Sequence, residues 1–148
     1  MPALARRAAL LAVLAVALAC ATETPPSTAA LPLERTHWRL VNLGANGAPV
    51  AETQTEAFLS FGEPRGRVSG SGGCNRLAGA YRLSGDQLSF GPLAGTRMAC
   101  VNGMEVESAL HAALERTAAF RIDGDRLELV DSAGAVLATF RAGDTPAP

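Results

Sequence analysis

Residues 70–100 read GSGGCNRLAGAYRLSGDQLSFGPLAGTRMAC, and most of the architecture can be worked out from them. Leu77, Tyr81 and Leu83 belong to an extended run that stops at the turn Ser84-Gly85-Asp86, and Gln87-Leu88-Ser89-Phe90 continues as the next strand. Gly72-Gly73 stands just before Cys74, where the backbone can take positive φ or approach another chain segment closely. No Lys-Ser or Lys-Thr follows these glycines, so a phosphate loop is not expected, and a bend in a sheet or an approach of the strand to Cys100 explains them better.

Outward from this stretch the pattern stays one of short strands. Residues 36–43 alternate with Trp38 and Leu40 on one face, which turns His37 toward solvent. Residues 44–49 are turn chemistry, and 57–61 and 67–71 extend again. Between 102 and 117 the period changes. Val106, Leu110, Ala113 and Leu114 recur at helical spacing, and Glu105, Glu107, Glu115 and Arg116 take the solvated face, with Asn102 and Glu105 placed as a capping box. Residues 119–122, 126–130 and 135–141 then form a meander around Asp123-Gly124-Asp125 and Ser132-Ala133-Gly134. The expected fold is mainly β with one helix: a small antiparallel barrel or strongly curled sheet carrying one amphipathic helix.

Gly73-Cys74-Asn75, Gly79-Ala80-Tyr81 and Thr96-Arg97-Met98-Ala99-Cys100 occur in an order that resembles the META domain, the family of heat-inducible HslJ-like bacterial lipoproteins. The resemblance begins near Thr36, with Trp38-Arg39-Leu40 as the first strand, and runs to Arg141. It implies a compact barrel-like domain in the cell envelope with a role in stress tolerance. It implies no chemistry.

The N-terminus points to export. Arg6 and Arg7 precede an apolar run over residues 8–19, too short for the roughly 20 residues of a spanning helix. Ala17-Leu18-Ala19-Cys20 resembles a lipobox, which makes residues 1–19 a signal peptide and Cys20 the lipidation site; an ordinary Ala-x-Ala cleavage is the plainer alternative. Residues 20–34 are small, polar and Pro-bearing, as expected of a tether, leaving 35–142 as the domain and 143–148 as a tail. Ala21, in place of Asp, favours the periplasmic face of the outer membrane. Every one of the 13 basic residues is arginine, and removing Arg6 and Arg7 leaves 11 against 14 carboxylates, a net charge near −3. Nucleic acid is not an expected partner. With Cys20 lipidated, Cys74 and Cys100 remain as a pair for an oxidising compartment, either bridged or as two buried thiols.

Catalysis is not expected. A Cys-His mechanism would need Cys74 with His37 or His111, and nothing in the pattern orients either base. Asp123 and Asp125 read as turn residues before they read as a calcium site. No metal or cofactor is implied. Asn75, Arg97 and Met98 form a candidate recognition patch; the alternative has Arg97 capping a loop or pairing with a carboxylate and Met98 filling core space. The functional expectation is a monomeric, non-enzymatic envelope protein, held to the membrane by its lipid and touching another envelope protein or ligand. The alternatives are a barrel binding a small apolar ligand and a pilotin-like escort of a secretion component.

Overall fold

A computed structural model describes residues 29–143 except 45, 63 and 64. Cys20, the expected signal peptide over 1–19 and the tail beyond Gly143 lie outside the described residues. In chain order the elements are β1 (His37–Leu43), β2 (Ala48–Pro49), β3 (Ala57–Gly62), β4 (Arg67–Gly72), β5 (Arg76–Ser84), β6 (Gln87–Gly95), α1 (Met104–Arg116), β7 (Ala119–Asp123), β8 (Arg126–Val130) and β9 (Val136–Ala142). Alternation builds the strands: Trp38 and Leu40, Leu59 and Phe61, Leu77 and Tyr81 all turn inward, while Arg39, Arg76, Ala78 and Ala80 turn out. Antiparallel pairing runs β1-β3-β4-β5-β6-β7-β8-β9, and β9 pairs back onto β1, so eight strands close into a curled ring. Closure leaves no long free edge except where β6 parts from β7 after a single register pair, Gln87 with Ala119.

The ring has two distinct ends. The β3–β4, β5–β6 and β7–β8 turns gather at one, here the proximal end, with the start of β1 and the finish of β9. Residues 31–36 lie across it. The Leu31 N–H donates to the Gly124 carbonyl at 3.0 Å, Arg35 N–H donates to Phe61 O at 2.9 Å, and Trp38 Nε1 donates to Leu33 O at 2.9 Å. Leu33 is buried. This revises the expected tether: its last residues, from Leu31 to Glu34, are part of the packed domain, and only contacts distant in sequence reveal it. The β4–β5 turn, the end of β6 and the start of α1 mark the distal end, about 25 Å away for strands of this length.

Helix α1 packs on β4 and β6 and also on β1, β8 and β9, which places it across the distal mouth and in the gap left beside β6. Val106, Leu110, Ala113 and Leu114 are its buried face, as the spacing indicates. The expected capping box is not used. Gly103 is the N-cap, in the left-handed region at φ 101°, and no side chain caps it. A Cβ there would lie 2.7 Å from the Gly73 carbonyl oxygen, so glycine is what lets the helix start against the β4–β5 turn. The interior is filled. Trp38, Phe61, Phe140, Leu59, Leu88, Leu127 and Leu129 meet Leu110 and Leu114 from the helix, each less than 2 % exposed. Among the described residues this leaves an internal apolar ligand no chamber inside the ring.

Candidate functional site: the bridged loop at the distal end

Cys74 and Cys100 are joined by a disulfide with Cα atoms 5.9 Å apart, closing a span of 26 residues. By the chain-entropy argument such a closure contributes about 3 kcal/mol. The bridge ties the β4–β5 turn to the loop over 96–103. Asn75, the neighbour of the bridged cysteine, completes the attachment. Its backbone N–H donates to Glu107 Oε2 at 2.6 Å, and Nδ2 donates to Glu107 Oε1 and to Met98 O, each at 3.1 Å. Its Oδ1 accepts from Met98 N–H at 2.7 Å and Thr96 Oγ1 at 2.8 Å. The side chain has no unused hydrogen-bonding group of consequence.

Two differences from the sequence reading follow. Asn75 is 4 % exposed, so it does not reach the surface as expected; it braces the loop over 96–103 from inside. Glu107 does not belong to the solvated face of α1, because Gly72 lets the helix approach the turn: a Cβ on Gly72 would lie 2.6 Å from Glu107 Cγ. Arg97 and Met98 lie at the surface. Met98 is 58 % exposed, Val101 95 % and Met104 46 %, so the core-filling alternative for Met98 fails. Val101 and Met104 are two further exposed apolar side chains on this stretch, and sequence reasoning missed both; an apolar Val between Cys100 and Asn102, outside every periodic run, was the available signal. Arg97 is exposed and makes no ion pair among the described residues.

The groups named for catalysis are dispersed or engaged. Cys74 is oxidised. His37 is not solvated as its alternation indicated: its ring stacks on Phe58 with centroids 4.4 Å apart, and Nε2 meets Glu56 Oε1 at 2.6 Å. His111 is half-buried on the flank of α1. At the proximal end the Tyr81 hydroxyl donates to Glu34 Oε1 at 2.6 Å. Burial, and next the hydrogen bond to Glu34, push its pKa up to about 12. That bond ties the N-terminal segment to β5; it offers no acid or base near neutral pH.

A closed, helix-capped antiparallel ring with a cysteine-bridged distal loop defines a small β-domain class, and comparison with known proteins places the chain within it. It belongs to the META domain family, whose model matches residues 31–144. The heat shock protein HslJ of Escherichia coli (strain K12) is 34 % identical over 103 residues, which span 68 % of this chain and 72 % of that one. A Burkholderia xenovorans protein solved by NMR is 31 % identical with a TM-score of 0.60, covering 83 % of this chain and 99 % of its own. A DUF4847 family protein from Bacteroides vulgatus ATCC 8482 shares the fold at 15 % identity and a TM-score of 0.57, covering 76 % of this chain and 96 % of its own.

Proposed function

We propose that this chain is a lipid-anchored envelope protein that acts without catalysis, by presenting its distal loop to another envelope protein. The heat-shock name of the Escherichia coli relative supports a stress-related setting. One observation carries the reading. Met98 and Val101 stand out in solvent on a loop pinned by a covalent bridge and by the Asn75 network, and Met104 is exposed at the start of α1 beside it. Leaving such side chains exposed while spending a disulfide on their position makes sense for a contact surface. The arrangement of the ends agrees with an anchor at Cys20. Residues 31–36 enter at the proximal end beside an open apolar groove that includes Leu31, Leu83, Phe120 and Ile122, so an anchored domain turns its distal loop away from the membrane.

Crosslinking in intact membranes, with the full chain as bait, tests this. The wild-type chain captures a discrete partner. A variant carrying Met98→Ser, Val101→Ser and Met104→Gln stays in the membrane fraction and loses that partner, whereas Cys20→Ser moves to the soluble fraction. Equal capture by the triple variant and the wild type overturns the contact surface. Membrane retention of Cys20→Ser overturns the anchor.

A further inference from the structure

Among the described residues the exposed large apolar side chains fall into two groups: Met98, Val101 and Met104 at the distal end, and Leu31 and Leu83 at the proximal end. The second group shares one open groove of about 650 Å³. Residues 30–34 form one wall, Leu83 and Asp86 of the β5–β6 hairpin another, and Phe120 and Ile122 of β7 the third. The groove exists because the core stops short of it. Leu83 keeps the inward parity of Leu77 and Tyr81 on β5, yet it lies past the last buried side chain of that strand, and Phe120 and Ile122 are only half-buried.

Hydrogen bonds hold the walls in place. Leu31 N–H donates to Gly124 O and Phe120 N–H to Asp86 O, each at 3.0 Å, and the Tyr81 hydroxyl ties Glu34 to β5 at 2.6 Å. What covers this apolar surface follows from where the chain enters it. Cys20 precedes Ala30 by ten residues, a reach of at most about 36 Å. Lipidation at Cys20, on which this inference rests, therefore keeps the groove close to lipid headgroups. A tether so short brings the two surfaces to an effective concentration of about millimolar, so a weak contact is enough.

We propose that the proximal end is a bilayer-docking face, with Leu31 and Leu83 entering the headgroup–acyl boundary and lipid closing the groove. The charges around it are mixed. Arg121 is held by Glu128 at 2.9 Å, Glu34 lies 3.9 Å from Arg65, and Asp86 and Arg82 stand on the same hairpin. Attraction to anionic headgroups therefore contributes little, and the apolar boundary of the bilayer is what the face meets. Two leucines are too small a surface to hold the domain without the lipid, so Cys20→Ser is still released. Docking adds orientation. A lipid ten residues away cannot fix which end of the ring faces the membrane, whereas a seated groove holds the distal loop outward.

The full lipidated chain carrying Leu83→Trp, reconstituted in phosphatidylcholine vesicles, tests the proposal; Trp38 is fully buried and supplies a constant background. Phospholipid brominated near the ester end of its acyl chains should quench the introduced indole at least twofold, as entry by about 5–10 Å requires. Salt from about 50 to 500 mM should leave that quenching unchanged. Val101→Trp, at the distal end, should stay unquenched. Adding Leu31→Glu to the Leu83→Trp chain should remove most of the quenching while the chain still floats with the vesicles and its circular dichroism is unchanged. A floating chain with no quenching, or with equal quenching at both positions, overturns the docking face and leaves the anchor standing. A chain that does not float and carries no lipid on Cys20 overturns both. Two other occupants would also overturn the proposal. Sedimentation of Cys20→Ser as a dimer that Leu31→Glu dissociates would make the groove an interface between copies, and quenching of a Cys20→Ser, Leu83→Trp chain by brominated stearate in solution would make it a fatty-acid site.

Discussion

At Asn75 the side chain satisfies the Met98 N–H, the Met98 carbonyl, the Thr96 hydroxyl and Glu107 together, so truncation strands several partly buried polar groups at once. Asn75→Ala is expected to cost about 2–3 kcal/mol in chemical denaturation, and Asn75→Asp, which replaces a donor beside Glu107 with a second carboxylate, should not rescue it. Tyr81 gives a pH-dependent prediction. Its pKa is raised from 10.0 to about 12 in the fold, so the stabilisation is complete below pH 10 and is lost as pH rises through 12. Thermal melts between pH 9 and 12 should show that loss in the wild type. Tyr81→Phe should lack this component of the loss and be about 1 kcal/mol less stable at neutral pH, having given up the bond to Glu34.

Among the elements, α1 is the one most readily read from sequence, because its buried stripe obeys a local rule, whereas its start at Gly103 is set by the distant Gly73. Leu110 is fully buried, and Leu110→Ala should cost about 2–5 kcal/mol, whereas His111→Ala on the helix flank should change unfolding midpoints little. The non-enzyme reading adds that His111→Ala leaves the cellular role intact. β6 was harder to delimit. The sequence suggests a stop near Phe90, before Gly91-Pro92, yet the strand runs to Gly95. Beyond Leu88 it has no β7 partner, and its pairing with β5 shifts register between Gly79 and Tyr81, where Gly91 and Pro92 fall; a shift of this kind tolerates a proline inside a strand. His37 and Glu107 escaped the reading for a shared reason. Each is placed by a neighbour distant in sequence, Phe58 for the one and Asn75 for the other, and period alone cannot see such pairs. The bridge between Cys74 and Cys100 was visible as an even pair of cysteines. Its removal in Cys100→Ser should cost about 2–5 kcal/mol.

At the scale of the described residues, the ring closes on a filled interior, its distal loop is exposed and its proximal end receives the segment from Leu31 to Thr36. The account stands or falls on whether that loop is a preformed surface. Backbone ¹⁵N relaxation of the oxidised protein over residues 96–104 measures this directly. Order parameters near the rigid-backbone value of about 0.85 at Met98 and Val101, dropping in Asn75→Ala while the β-strands stay unchanged, are the predicted result. Values below about 0.6 across the loop in the intact, bridged protein would contradict it, because a contact surface that must be ordered by its partner is not one that the disulfide and Asn75 have already built.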